Sequence, residues 1–218
     1  MTNAALQRKN MVESQIRPSD VTDRRITAAM TVIPREAFLP ARLANFAYSD
    51  QILTIVPGRE VLAPCVLARL IQLAEIADSD SVLVISEAGY AAAIVAQLAA
   101  KVTALLPDEA TADLARTAFN ASPLNNVVAV VGSAASGWPQ SAPYDIIVVE
   151  GGVEQVPDSL KAQLRDGGRL VAIDTSDRVG HAIELHKQRD GIFARRESFQ
   201  ATALPLPGFT ETRPAFVF

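Results

Sequence analysis

Cysteine is nearly absent: Cys65 stands alone in 218 residues, so no internal disulfide can form and a cysteine-built zinc site is excluded. It lies in an apolar helical run and reads as a small core residue rather than a reactive thiol. Glycine is also scarce, at 11 residues against an ordinary share of ~7%, so a nucleotide-type loop has little glycine to draw on. No run of ~18 uninterrupted apolar residues occurs, and the start MTNAALQRKNMVESQ lacks the apolar centre of a signal peptide. A cytoplasmic location without a membrane partner is therefore expected. A cationic surplus is missing too: 20 basic residues face 24 acidic ones, for a net charge of −4. No nucleic-acid partner is expected from that balance. The two histidines, His181 and His186, are five apart in a strand-like run and fall on opposite faces, so no metal site is expected.

What is present is apolar. Hydrophobic residues make up 49% and charged residues 20%, which excludes a disordered chain. At this length folding hides roughly 70% of the unfolded chain's surface, enough for a core without staples. We expect a single domain over 1–218, with 1–63 as a helical N-terminal extension and substrate-side segment.

Residues 4–48 predict two or three helices. Leu6, Met11, Val12 and Ile16 form one apolar stripe, broken by Pro18. Asp20 or Thr22 can cap the next helix, which carries Val21, Ile26, Ala29, Met30 and Ile33 before Pro34. Residues 51–63 read as irregular around a Pro57-Gly58 turn, and a helix runs from Pro64 to Ala77. The rhythm then changes. VLVIS (82–86), VTALL (102–106), VVAVV (127–131), DIIVV (145–149) and RLVAI (169–173) are β-branched runs, separated by helical stretches at 90–100, from Asp108 to about Asn120, and around 157–165. Strands apolar on both faces and alternating with helices predict an α/β fold, a doubly wound, mostly parallel sheet with helices on both faces. HAIELHKQ and IFARRESF flank Asp190-Gly191, a hairpin signal, so the sheet should end in an antiparallel C-terminal hairpin. The apolar end Ala-Phe-Val-Phe reads as an edge strand or packed tail, and could instead seal a homodimer.

In such a sheet, ligands sit beyond the carboxyl ends of the strands. The first loop there reads Ser86-Glu87-Ala88-Gly89-Tyr90, without the G-x-G-x-x-G of dinucleotide binders. Glu150, ending the fourth of these runs, should face the cleft. Asp174 and Asp177 suit a cap or turn better than a site, and Trp138 and Tyr144 suit packing better than stacking on a ligand.

The order of these segments resembles the protein-L-isoaspartate O-methyltransferase family. MVESQIRPSDVTDRRITAAMTVIPREAFLP (11–40) is similar to its N-terminal helices, and SVLVISEAGYAAAIVAQLA (81–99) to its strand, cofactor loop and helix. GSAASGWPQSAPYDIIVV (132–149) resembles a later motif, with Gly132, Gly137, Trp138, Pro139, Ala142, Pro143, Tyr144 and Asp145 in place. VPDSLKAQLRDGGRLVAI (156–173) resembles the helix, Gly-Gly turn and strand that follow. The resemblance implies a seven-stranded, Rossmann-like methyltransferase sheet, S-adenosylmethionine as cofactor and an isoaspartyl-containing protein or peptide as partner, methylated on its carboxylate at the start of repair.

Four stretches depart from the family's pattern. Where the family has Gly-x-Gly-x-Gly-Tyr, this chain keeps only Gly89 and Tyr90. Leu106 stands where the family has a Glu for the ribose hydroxyls, with Asp108 two positions later. Gly132-Ser133-Ala134 stands where it has Gly-Asp-Gly, whose Asp holds the adenine amino group. Gly58-Arg59-Glu60-Val61-Leu62-Ala63-Pro64 stands where it has Gly-x-Thr-x-Ser-x-Pro; Glu60 would oppose an anionic substrate, and Arg59 could partly offset that charge. Two lost carboxylate anchors would cost roughly 3–6 kcal/mol of cofactor affinity. Ser86, Glu87, Gly89, Leu106, Asp108, Ser133 and Glu150 are thus the candidate cofactor-site positions; no residue is assigned a catalytic role. One expectation is a weak or inactive methyltransferase homologue acting as a binding protein. The alternative is an active enzyme in which Asp108, Glu87 or Glu150 replaces the missing anchors. A nucleotide-using oxidoreductase is disfavoured by the loss of glycine.

Overall fold

A computed structural model describes residues 3–210. The β-branched runs become five parallel strands: β3 (Ser81–Ile85), β4 (Lys101–Leu106), β5 (Val127–Val131), β6 (Tyr144–Val153) and β7 (Leu164–Asp174). Two antiparallel strands, β8 (His181–Lys187) and β9 (Phe193–Gln200), extend the sheet to seven in the order β5-β4-β3-β6-β7-β8-β9. The β8–β9 turn is the one signalled by Asp190-Gly191, with Gly191 at φ +80°. The chain leaves β3 toward β4 and β5, then returns to lay β6 on the other side of β3. That reversal, between β3 and β6, opens a crevice at the strands' carboxyl ends.

Alternation along the strands builds two cores. Val82 and Val84 of β3, with Ile146 and Val148 of β6, face a large cluster formed with α3 (Pro64–Leu73), α4 (Tyr90–Ala96) and α5 (Glu109–Ala121). Leu83, Ile85, Ile147 and Val149 face the opposite side. The first cluster also takes in Met11 and Ile16, then Ile26 and Met30 of α2 (Arg24–Val32), and Phe38, all nearly or wholly buried. Phe38 wedges between Tyr90 and Phe119, with ring centroids 5.8 and 5.6 Å away. The second face carries one short helix, α6 (Asp158–Lys161), and is closed by the segment 204–209, whose Leu206 and Phe209 are buried there.

That segment is strapped to β6 by backbone hydrogen bonds. Gly152 N donates to Leu204 O at 2.8 Å, Leu206 N donates to Gly152 O at 2.9 Å, and Glu154 N donates to Phe209 O at 2.9 Å.

Some boundaries differ from the sequence-based expectation. Residues 51–63, expected to be irregular, contain the hairpin β1 (Leu53–Val56) and β2 (Arg59–Val61), paired Leu53 to Val61 across the Pro57-Gly58 turn. The cap of α2 is Asp23, whose carboxylate accepts from Arg25 N at 2.8 Å, rather than Asp20 or Thr22. The helix expected around 157–165 ends at Lys161, because β7 starts at Leu164, where Tyr144 N bonds to Gln163 O. The apolar end 214–218 lies outside the described residues.

Candidate active-site cleft

The crevice at the β3–β4–β5 carboxyl ends has a volume of about 320 Å³ and is lined by residues 85–87, 105–107, 132–134 and Pro207. Most of this lining is apolar, from Ile85, Leu105, Leu106, Pro107, Ala134 and Pro207.

Its first loop is held from within. Ser86 Oγ donates to Glu150 Oε2 at 2.7 Å and accepts from the amides of Ala88 at 3.2 Å and Gly89 at 2.9 Å. Gly89 then enters α4 at φ +84°, and a Cβ built there would lie 2.9 Å from Ala115 Cβ. Glycine remains at this position because the backbone is left-handed and α5 packs directly against it.

Glu87 turns toward the β1–β2 hairpin. Its carboxylate meets Arg59 Nε, and its side chain is only 5% exposed. The same guanidinium donates to Asp108 Oδ2 at 2.6 Å and to Thr111 Oγ1 at 3.1 Å. One arginine thus ties the hairpin to the loop after β3 and to the start of α5. Asp108 also caps α5 by accepting from Thr111 N at 2.8 Å. That amide, with help from the Thr111 hydroxyl and Arg59, holds the Asp108 carboxyl below its usual range. Arg59 was expected to offset Glu60; it pairs instead with Glu87 and Asp108, while Glu60 meets Thr54 at 3.3 Å. The hairpin twist separates the two neighbours, since successive strand side chains point to opposite faces.

Glu150 was expected to face the cleft. It is 1% exposed beneath the loop, where Ser86, Arg35 and the Leu62 backbone face it. Burial raises its pKa, opposed by the Ser86 hydrogen bond and by Arg35. Arg35 is equally buried; Nη2 donates to Leu62 O at 2.7 Å and the guanidinium carbon lies 5.2 Å from the centre of the Tyr90 ring. Arg35 Nε and Nη1, Tyr90 Oη and Glu150 Oε1 have no hydrogen-bond partner in the protein. The strand-end position of Glu150 hinted at a role, whereas Arg35, inside VIPREAF, gave no sign that it would sit under the site.

The remaining candidates divide. Ser86, Glu87, Leu106 and Ser133 line the cleft together; Asp108 stands at its edge through Arg59, while Gly89 and Glu150 lie behind the loop. Leu106 is 1% exposed. Ser133 is exposed and leads into a short turn at 134–136. Trp138 and Tyr144 do pack, with Tyr144 Oη donating to Trp138 O at 2.7 Å.

Sheet order, strand directions and the position of the crevice define a methyltransferase-type α/β fold. A profile of the protein-L-isoaspartate(D-aspartate) O-methyltransferase family matches residues 6–209, and the chain belongs to that family. It is 43% identical over 171 residues to protein-L-isoaspartate O-methyltransferase 1 of Rhodopseudomonas palustris (strain HaA2), covering 78% of this chain and 70% of that protein. It is 33% identical over 216 residues to the protein-L-isoaspartate O-methyltransferase of Koribacter versatilis (strain Ellin345), covering 99% and 97%. Among solved structures, a protein-L-isoaspartate O-methyltransferase aligns with a TM-score of 0.77 at 23% identity, over 92% of this chain and 66% of that one. The Plasmodium falciparum protein described as a putative protein-L-isoaspartate O-methyltransferase, solved in complex with S-adenosyl-L-homocysteine, aligns with a TM-score of 0.75 at 15% identity, over 94% and 99%. Among the described residues, no helix is long and apolar enough to cross a membrane.

Proposed function

We propose that this member of the isoaspartate methyltransferase family binds S-adenosylmethionine weakly and acts as a binding protein rather than a fast methyltransferase. The observation that carries this reading is the Arg59–Glu87–Asp108 cluster. Each acidic group that could take over from a missing anchor is already committed within the chain. Glu87 and Asp108 are spent on Arg59, and Glu150 is buried against Ser86. Leu106, at the ribose position implied by the resemblance, offers methyl groups where two hydroxyls would need acceptors, and desolvating an unpaired hydroxyl costs about 1–3 kcal/mol. The residues present therefore do not fit the zwitterionic cofactor well, and no catalytic step is routed through it. In this reading residues 1–63 are a substrate-side extension, helical apart from the β1–β2 hairpin, and an isoaspartyl peptide is the partner to test.

The test is calorimetric titration of S-adenosylmethionine and S-adenosylhomocysteine, followed by a methyl-transfer assay on an isoaspartyl peptide. No heat at millimolar ligand and no transfer are expected. Micromolar binding with turnover would overturn the reading and establish an active enzyme with an unorthodox site.

A further inference from the structure

The inference concerns the ligand class of the same cleft, and it rests on the reading above. We infer that the cleft takes an uncharged, largely apolar ring compound, and that the Arg59–Glu87 pair excludes a ligand carrying a charged amino-acid tail.

Three observations support this. First, the cleft is small and its walls are apolar. About 320 Å³ is at the lower end of ligand-pocket sizes, and Pro107, Ala134 and Pro207 give its more exposed apolar walls, over the buried Ile85, Leu105 and Leu106. Burying an apolar ring there gains roughly 25 cal/mol for each Å² removed from water. Second, the polar groups at the loop end of the cleft are already used. The Ser86 hydroxyl is shared among Glu150 and two amides, the Glu87 carboxylate is held by Arg59, and the carbonyls of Leu105 and Leu106 accept from Ser86 N and Gly132 N. Ser133, exposed at the other end, is the lining side chain left to orient a hydroxyl or ring nitrogen. Third, Arg59 is already taken by Glu87 and Asp108, so an incoming tail carboxylate finds no free cation there. To reach Arg59 it must displace Glu87 from a site where that carboxylate is almost fully removed from water.

Two probes isolate the tail. 5′-Methylthioadenosine and S-adenosylhomocysteine share the ring, ribose and thioether, and the second adds the charged amino-acid end. Calorimetry on the full chain should show 5′-methylthioadenosine binding at least about ten-fold more tightly, the equivalent of one lost charge-assisted hydrogen bond. Glu87→Gln keeps an acceptor for Arg59 while removing the competing charge. In that variant S-adenosylhomocysteine should gain about ten-fold while 5′-methylthioadenosine stays unchanged. Equal or tighter binding of S-adenosylhomocysteine by the unaltered protein would overturn the inference, as would failure of adenine, the same ring without the ribose that Leu106 leaves unpaired, to bind at millimolar concentration. Either result can occur without methyl transfer, so the inference can fail while the proposed loss of activity stands. Turnover on an isoaspartyl peptide would remove that reading instead.

Discussion

Two corners beside the sheet are held together in different ways. In the corner at 137–163, Gln163 is buried and fully used: Oε1 accepts from Trp138 N at 2.8 Å, and Nε2 donates to the carbonyls of Ser136 and Ser159, each at 2.8 Å. Gly137 sits against it at φ +64°, where a Cβ would approach Gln163 and Leu160 to 2.6 Å. In the corner at 86–111, the contacts are between charged side chains from three separate segments: Arg59, Glu87 and Asp108. The first corner is held by backbone geometry that almost no other residue can adopt. The second is held by ion pairs that a single substitution can rearrange without moving the fold.

The strongest break in this comparison should come from Gly137→Ala. It places a Cβ into Gln163 and demands a left-handed backbone of alanine, so a loss of about 3 kcal/mol or more is expected in urea unfolding. Arg59→Met should cost less. Removing one partner of a fully buried pair costs ~3–5 kcal/mol, and partial exposure of Arg59 reduces that to about 2 kcal/mol. Adding Glu87→Gln should recover most of the loss, and a double-mutant cycle reads the coupling directly. Recovery of nothing would mean that Arg59 acts through packing alone. Next is Ser86→Ala, which deletes a hydroxyl serving Glu150 and two loop amides. About 1.5 kcal/mol of stability should go, with the sheet's circular dichroism unchanged.

The smallest effect is a pH slope from Glu150→Gln. Burial holds the Glu150 pKa above its ordinary value, so folding favours the protonated form. Its contribution is complete below the unfolded carboxyl pKa of ~4.3 and is lost as pH rises through the higher folded-state value. Glutamine does not titrate. The melting temperature of the variant relative to the parent should therefore climb as pH rises from about 4 through the raised folded-state value. A flat difference would mean that Arg35 fully balances the burial of the charge.

Legibility in the sequence followed the range over which each feature is determined. The strands β3 to β7 were readable because residues such as Val82–Ile85 and Ile146–Val149 are buried on both faces, which leaves an uninterrupted β-branched run. The hairpin at 53–61 was not readable beyond its Pro57-Gly58 turn, since strands of four and three residues give too short an alternation. The partners of Arg59 were hidden for another reason: Glu87 and Asp108 lie 28 and 49 residues away, and nothing local to GREVLAP points to them. Glu150 was placed at the correct strand end but on the wrong side of the surface. Its burial depends on Arg35, Leu62 and Ser86, which face it from distant segments and leave no mark at residue 150.

The strap also gives the cleft a reporter some distance from any ligand. Pro207 forms part of the cleft wall, while its neighbours Leu206 and Phe209 are hydrogen-bonded to Gly152, Glu154 and Gln155 at the end of β6. A compound pressed against Pro207 would hold those bonds closed for longer. Occupancy of the cleft should therefore be visible as slowed amide hydrogen exchange at Gly152, Glu154 and Leu206, with no label on the ligand and no chemistry to follow.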